Sequence, residues 1–241
     1  MDPKTKPFLY VALDFADQSK GLAFARNLRE TCPEAPFGFK VNLDTVLDFA
    51  ASALSPYQYI QNLQKLDKPI FVDLKMWNGA RTMSHIAQGC ADLGVELINL
   101  YPHTGGKFIQ KVVKNLEGTM TKLLSLTVLT HYTDSDTDLL YGKTIEQSVA
   151  LLARIGLENG AHGIIAPVPY LPAIRHLGGL RLSPGIRPLW HEDQKDNFQE
   201  QTATPKEAVV NGADYIVVGS PILKAKDPAV AVRTILQEME A

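Results

Sequence analysis

The chain has 241 residues, of which 45% are hydrophobic and 21% are charged, and its 24 Lys and Arg nearly balance its 26 Asp and Glu. This composition is typical of a soluble globular protein and excludes a disordered or collagen-like chain. The formal net charge of −2 argues against a nucleic-acid-binding protein that relies on bulk positive charge.

Signals for a disulfide framework, a metal site or a membrane are missing from the sequence. Cys32 and Cys90 are too few for a disulfide framework or a four-thiolate metal site. The six histidines show no paired ligand spacing, so no metal is expected. The segment from Met1 to Lys6 is polar, unlike a signal peptide, and the apolar runs are far shorter than the about 20 residues of a membrane span. We therefore expect a cytoplasmic protein without membrane association.

Eight short β-rich segments follow one another along the chain. They are continuously apolar rather than alternating, as strands buried on both faces of a parallel sheet should be. Their starts lie about 30 residues apart, which is the size of one βα unit. The predicted strands are Phe8–Leu13, Phe37–Asn42, Pro69–Leu74, Glu96–Tyr101, Leu123–Leu129, His162–Ala166, Leu180–Ser183 and Asp214–Val218.

Helical patterns lie between these segments, with Asp17 or Ser19 capping the first of them. Eight strands alternating with eight helices predict a single (β/α)8 TIM barrel over residues 1–241. An open doubly wound sheet is the alternative, but no Gly-x-Gly-x-x-Gly turn follows the first strand. The predicted helices are Asp17–Glu30, Ala80–Leu93, Thr104–Leu116, Thr144–Asn159, Pro205–Asn211 and Pro228–Met239.

Polar residues stand where the predicted strands end, which is the edge where TIM barrels carry their active sites. Asp73 and Lys75 are two residues apart on one strand, so both side chains should point to the same face. Asp14 and Lys40 would join them as four alternating charges, which form either a reactive site or an ion-pair network that closes the barrel. Further candidates on this rim are His103, Thr130 and His131.

The turns after strands 7 and 8 suit a phosphate-binding site, because such barrels often bind phosphate there through backbone N–H groups. Ordinary turn chemistry is the alternative explanation. The polar segment from Pro188 to Ala203 follows the first of these turns and has the length of an active-site lid. By contrast, Asp134 to Asp138 reads as a solvated loop. The residues of the two turns are Pro184, Gly185, Arg187, Gly219 and Ser220.

The segment Asp73–Asn78 (DLKMWN), taken with Asp14, Lys40, the segment Pro184–Arg187 (PGIR) and Gly219, resembles the orotidine 5′-phosphate decarboxylase family from about Leu9 to Ala231. The resemblance implies conversion of orotidylate to uridylate with no metal or cofactor. In that reaction Lys75 would protonate C6, and Asp73 would face the substrate carboxylate. Asp14 and Lys40 would hold ribose hydroxyls.

The resemblance also implies a homodimer in which the loop after strand 3 completes the partner's site. Asn78 and Thr82 lie on this predicted loop. In the family pattern, position 78 carries an Asp that reaches the partner's lysine, so Asn78 removes one negative charge.

Two further departures concern ligand contacts. Ser220 stands where the family usually has an arginine that grips the phosphate, and His131 replaces a small serine beside the pyrimidine. The glutamine that bridges base and phosphate is either Gln194 or Gln199. Three hypotheses therefore stay open: an orotidylate decarboxylase, a homologue acting on another nucleotide, nucleoside or sugar phosphate, and a non-catalytic dimeric homologue that binds a nucleotide or a protein.

Overall fold

The computed structural model describes residues 7–48, 53–191 and 200–240. Its eight strands form one closed parallel barrel, in which each strand pairs with the next along the chain and β8 pairs with β1. The predicted TIM barrel is therefore confirmed, and the open doubly wound sheet is excluded. The strands are β1 (Phe8–Ala12), β2 (Phe37–Asn42), β3 (Ile70–Met76), β4 (Leu97–Leu100), β5 (Lys122–Leu126), β6 (Gly163–Ile165), β7 (Leu180–Ser183) and β8 (Tyr215–Val218).

The α-helices of the described ranges include all six that the sequence predicts, with ends displaced by a few residues. The first is capped by Asp17, whose side chain accepts hydrogen bonds from the backbone N–H groups of Ser19 and Lys20. The helices are α1 (Gln18–Thr31), α2 (Leu43–Val46), α3 (Pro56–Gln64), α4 (Ala80–Asp92), α5 (Gly106–Asn115), α6 (Asp134–Tyr141), α7 (Ile145–Glu158), α8 (Pro205–Val210), α9 (Ser220–Leu223) and α10 (Pro228–Glu240).

Helix α6 occupies the segment for which the sequence predicted a solvated loop, so that prediction is wrong. The Thr133 hydroxyl accepts a hydrogen bond from the backbone N–H of Asp136, and the Asp136 carboxylate accepts one in return from the backbone N–H of Thr133. This reciprocal pair satisfies two N–H groups at the start of the helix. The acidic residues Asp134 and Asp136 also complement the positive end of the helix dipole.

The connection between β6 and β7 also differs from the expected alternation of eight strands and eight helices. Instead of an α-helix it contains two short 3-10 turns, Val168–Tyr170 and Pro172–Ile174. Prolines at 167, 169 and 172 explain the difference, because each lacks the N–H that a continuing α-helix needs.

The buried apolar side chains form an inner and an outer layer. The inner layer fills the barrel and includes Tyr10, Phe71, Leu124 and Leu182. The outer layer packs the strands against the surrounding helices and contains most of the buried residues. Within the described residues, no helix is both long and apolar enough to cross a membrane.

Candidate active site

The carboxyl end of β3 is irregular. Lys75 has a φ of 45°, and the pairing of β3 with β4 shifts register between Val72 and Met76. A positive φ is uncommon for a residue other than glycine. The side-chain oxygen of Asn99 accepts a hydrogen bond from the Lys75 backbone N–H at 2.7 Å, which stabilises this conformation. Asp73 and Lys75 thus share one site, but through a bulge rather than the regular strand that their spacing predicted.

Four charged side chains from β2, β3 and the turn after β1 lie together at the carboxyl end of the barrel. This end is here called the barrel mouth, and the four residues are Asp14, Lys40, Asp73 and Lys75. Lys75 Nζ lies 2.6 Å from Asp73 Oδ2. Lys40 Nζ lies 2.9 Å from Asp14 Oδ1 and 3.8 Å from Asp73 Oδ2. Lys40 therefore links the two carboxylates, and the charges alternate in sign from one end of the row to the other.

Asp73 is held in its ionised form although it is largely buried. Its side chain is 12% exposed, and burial by itself would raise its pKa. The charges of Lys40 and Lys75, together with a hydrogen bond from Asn99 Nδ2 at 2.7 Å, outweigh burial and lower the pKa of Asp73 below its ordinary value. A buried carboxylate thus stands beside an ammonium group at neutral pH.

The site also contains two asparagines that the sequence analysis did not predict. Asn99 is fully buried in β4 and bonds both Asp73 and the Lys75 backbone. Asn42, at the end of β2, donates to Asp14 Oδ1 at 2.7 Å. The signal for Asn99 was an amide inside an otherwise apolar strand, because a buried amide must find hydrogen-bond partners.

Two cavities lie at the barrel mouth and share Lys40, Pro184 and Val217 in their walls. The first, here called the inner pocket, has a volume of about 260 Å³ and is mostly apolar. The second, the outer pocket, has a volume of about 500 Å³. The inner pocket is also lined by Phe71, Asp73, Lys75, Asn99, Leu126, Val128, Leu129, Thr130, His131, Ile165 and Leu182, and the outer pocket by Ala12, Asp14, Phe15, Gly185, Arg187, Gly219, Ser220, Leu223 and Lys224.

Thr130 and His131 follow β5 and form part of the wall of the inner pocket. The Thr130 carbonyl accepts hydrogen bonds from the backbone N–H groups of Glu200 and Gln201. The His131 ring packs edge-on against Tyr132 at a centroid distance of 5.2 Å. The inner pocket therefore combines mostly apolar walls with a few polar groups, as small-molecule sites usually do.

The turns after β7 and β8 meet in the wall of the outer pocket. Gly185 has a φ of 77°, a conformation that favours glycine. A Cβ atom at Gly219 would come within 3.0 Å of Asp14 Oδ2, so the lack of a side chain lets this turn approach the charged row. Pro184, Arg187 and Ser220 line the same wall.

The segment from Pro188 to Ala203 is described only in part. Ile186 pairs with Ala203 where the segment leaves and rejoins the barrel. Gln194 and Gln199, the two candidates for a ligand-binding glutamine, lie outside the described residues. That role and the lid hypothesis both stay predictions.

His103 is not in the wall of either pocket among the described residues. It stacks on Tyr141 at a centroid distance of 5.6 Å, and its ring also contacts Trp77 and Tyr101. Burial lowers the pKa of His103, which favours the neutral ring. In the described residues His103 lies outside both pockets, so its contact with a substrate stays a prediction.

Asn78 and Thr82 also lie away from both pockets within the described chain. Asn78 is exposed, and its side-chain oxygen accepts a hydrogen bond from the Gly79 backbone at 2.8 Å. Thr82 lies in the first turn of α4 rather than on the preceding loop. Their predicted contribution to a partner's site stays a prediction.

No group of three or more potential metal ligands occurs among the described residues. A closed parallel barrel with opposite charges and glycine-containing turns at its carboxyl end defines a TIM-barrel protein, a class whose active sites lie at that end. The family model described as orotidine 5′-phosphate decarboxylase / HUMPS family matches residues 7–235. The chain belongs to this family.

Individual relatives agree with this membership. The orotidine 5′-phosphate decarboxylase of Wolbachia pipientis subsp. Culex pipiens is 31% identical, over 95% of this chain and 96% of the relative. The enzyme of the same name from a Wolbachia of Brugia malayi is 30% identical, over 95% and 97%. The crystal structure of orotidine 5′-phosphate decarboxylase from Lactobacillus acidophilus matches with a TM-score of 0.78 and 27% identity, covering 98% of this chain and 100% of that one.

Proposed function

We propose that this protein is a carboxy-lyase that converts orotidine 5′-phosphate to uridine 5′-phosphate without a metal or cofactor. The observation that carries the proposal is the pair of Asp73 and Lys75, whose side chains lie 2.6 Å apart in the wall of a mostly apolar pocket. A carbanion-like transition state is stabilised best by a fixed cation in a site that excludes water.

The reaction breaks the bond between C6 of the pyrimidine and its carboxylate, and carbon dioxide leaves without the bonding electrons. The electron pair stays on C6 and takes a proton from the Lys75 ammonium, which regains a proton from water. Asp73, kept ionised by Lys40 and Lys75, faces the substrate carboxylate and repels it. This repulsion is relieved as carbon dioxide departs, so the site favours the transition state over the bound acid.

The remaining residues bind the rest of the nucleotide in this proposal. Asp14 and Lys40, joined at 2.9 Å, hold the ribose hydroxyls and orient the reactive pair. The inner pocket takes the pyrimidine, with Thr130 and His131 at its rim. The phosphate lies in the outer pocket at the turns that contain Pro184, Gly185, Arg187, Gly219 and Ser220, and either Gln194 or Gln199 bridges base and phosphate.

We also propose a homodimer in which Asn78 and Thr82 of one protomer complete the partner's site. Asn78 is exposed and follows the end of β3 by two residues, and Thr82 lies in the first turn of the next helix, α4. The elution volume of the purified protein, calibrated by light scattering, tests the oligomeric state. A monomer at micromolar concentration would contradict it.

The decisive experiment follows the loss of orotidylate absorbance on addition of the purified protein. Lys75→Ala is the control, because it removes the proton donor and leaves the backbone in place. Activity in the wild type that is lost in the variant supports the proposal. Equal rates in the two proteins, or no reaction in either, would contradict it for this substrate.

A second candidate is the same scaffold acting on another phosphorylated substrate. The observation that favours it is His131, a bulky ring in the wall of the pocket that would hold the base. Thermal-shift measurements with uridylate, other nucleotides and sugar phosphates distinguish the two candidates. Stabilisation by a sugar phosphate but not by uridylate would favour the second.

A further inference from the structure

The sequence contains three Asn-Gly pairs, which begin at Asn78, Asn159 and Asn211. In such a pair the backbone nitrogen of the glycine can attack the side chain of the asparagine and expel ammonia, because glycine has no Cβ atom to hinder the close approach. The reaction requires an accessible side-chain amide and a glycine nitrogen that is not held elsewhere. The structure separates the three pairs by these two requirements.

The pair at Asn78 meets both requirements. Asn78 and Gly79 are exposed and lie between the end of β3 and the start of α4. The Gly79 N–H donates a hydrogen bond to Asn78 Oδ1 at 2.8 Å, so the attacking nitrogen already lies beside the amide group that it would attack. The Asn78 amide nitrogen, which is the leaving group, donates no hydrogen bond within the described part of the chain.

The pair at Asn159 is held in place at the end of α7. Asn159 Nδ2 donates to the Ile155 carbonyl at 2.8 Å, and Asn159 Oδ1 accepts a hydrogen bond from Gln110 at 2.9 Å. The Gly160 N–H donates to the Leu157 carbonyl at 3.0 Å. The leaving group and the attacking nitrogen of this pair are therefore both engaged with the helix.

The pair at Asn211 is held in the same way at the end of α8. Asn211 Nδ2 donates to the Glu207 carbonyl at 2.8 Å, and the Gly212 N–H donates to the Val209 carbonyl at 2.9 Å. Both residues of the pair are half-buried. Attack within this pair, as within the pair at Asn159, requires hydrogen bonds to break first, and each such bond stabilises the unreactive arrangement.

We infer that Asn78 is a site of spontaneous deamidation in the folded protein. The Gly79 nitrogen gives its proton to water and forms a bond to Asn78 Cγ. The bond between Cγ and Nδ2 breaks, and Nδ2 takes up a proton and leaves as ammonia. Water then opens the resulting succinimide ring at either of its two carbonyl groups, which yields aspartate or isoaspartate. Water is the only other reactant.

The product has a carboxylate at position 78. It is ionised at neutral pH, because the ordinary pKa of an aspartate side chain lies well below neutral. The aspartate form has the residue of the family pattern at this position, whereas isoaspartate lengthens the backbone by one methylene group. Any effect on catalysis rests on the proposed function, in which residue 78 contributes to the partner's site. The deamidation itself does not depend on that function.

The test compares the three pairs within one protein. Folded wild-type protein is kept at mildly alkaline pH, sampled over days and digested briefly with trypsin, which releases the pairs in separate peptides of residues 76–81, 155–175 and 207–224. Mass spectrometry measures the gain in mass when an amide becomes a carboxyl group. We expect the peptide that contains Asn78 to convert about tenfold faster than the other two, the size expected when two hydrogen bonds need not be broken.

Gly79→Ala is the matched variant. Gly79 has an ordinary φ of −61°, and a Cβ atom there would meet nothing within 4 Å, so the substitution preserves the local structure. It should slow the conversion of Asn78 severalfold, because the added methyl group hinders the attack. Wild-type protein unfolded in denaturant is the reference, in which all three pairs should convert at similar rates.

Three results would overturn the inference. They are equal rates for the three pairs in the folded protein, an Asn78 peptide that keeps its mass when folded but converts when unfolded, and equal rates in Gly79→Ala and the wild type. The proposed function fails separately. If fresh protein does not convert orotidylate but Asn78 deamidates selectively, the deamidation site is confirmed and the decarboxylase proposal is wrong.

Discussion

The two ends of the barrel each contain a carboxylate with close hydrogen-bond donors, but the donors differ in charge. At the mouth, Asp73 is paired with the Lys75 ammonium at 2.6 Å. At the opposite end, here called the barrel floor (Phe8, Tyr10, Glu96 and Tyr215), Glu96 accepts a hydrogen bond at 2.6 Å from the neutral hydroxyl of Tyr10. Tyr215 adds a longer bond to Glu96 at 3.4 Å.

The different partners change the acid–base behaviour in opposite directions. At the floor, burial and the nearby charge of Glu96 raise the pKa of Tyr10 and bring that of Tyr215 to about 12. At the mouth, cations overcome the effect of burial and lower the pKa of Asp73. The floor therefore contains the neutral phenol side chains of Tyr10 and Tyr215, which fill the barrel. The mouth contains paired positive and negative side chains beside a cavity. We therefore expect the floor to contribute mainly to stability and the mouth to carry the chemistry, although both are built on the same strands.

The largest expected effect comes from Asp73→Asn, which removes the charge that holds Lys75 and faces the substrate carboxylate. We expect the rate of orotidylate conversion to fall about a hundredfold or more, the usual cost of losing one electrostatic contact in a preorganised site. Initial rates at saturating substrate, with circular dichroism to verify folding, measure this effect. A rate within a few-fold of the wild type would remove Asp73 from the reaction.

The next effect is on stability and concerns the floor. Tyr10→Phe removes the short hydrogen bond to Glu96 while keeping the ring, and should lower the free energy of unfolding by about 1.5–3 kcal/mol. Denaturant titration measures it, and Tyr215→Phe, which loses only the longer bond, should cost less. If the order of the two variants were reversed, the hydrogen-bond lengths would not be what determines stability at the floor.

A pH dependence follows from the lowered pKa of Asp73. Its charged contacts stabilise the fold fully above the unfolded pKa of about 3.9, and this contribution is lost as pH falls below that value toward the folded pKa. Unfolding measured from pH 7 down to about pH 3 should therefore show a steeper loss in the wild type than in Asp73→Asn. Parallel curves would contradict the ionised state assigned to Asp73.

The smallest expected effect is that of Asn78→Asp at the edge of the mouth. If the partner's residue 78 approaches Lys75 in a dimer, the new carboxylate should raise the decarboxylation rate about two- to fivefold, the worth of a partly exposed ion pair. Asn78→Ala supplies the control that lacks any charge. No gain from the carboxylate would mean that position 78 does not contribute to the site.

The sequence predicted the barrel because eight apolar segments at regular spacing leave few other folds. It also predicted the group of charges, because Asp14, Lys40, Asp73 and Lys75 all lie in or just after the carboxyl halves of the first three predicted strands. It could not predict the bulge at Lys75, since that conformation depends on Asn99, which lies 24 residues away in the chain and becomes a neighbour only after β3 and β4 pair. Three closely spaced prolines explain why no α-helix precedes β7, although the repeating βα pattern predicts one there.

The division of labour between mouth and floor is tested most directly by the initial rate of uridylate formation in Lys75→Ala and Tyr10→Phe, measured side by side under conditions where both are folded. We expect Lys75→Ala to lose about a hundredfold in rate, as for removal of a general acid. We expect Tyr10→Phe to retain the wild-type rate despite its lower stability. Similar losses in both variants, or an undiminished rate in Lys75→Ala, would contradict this division.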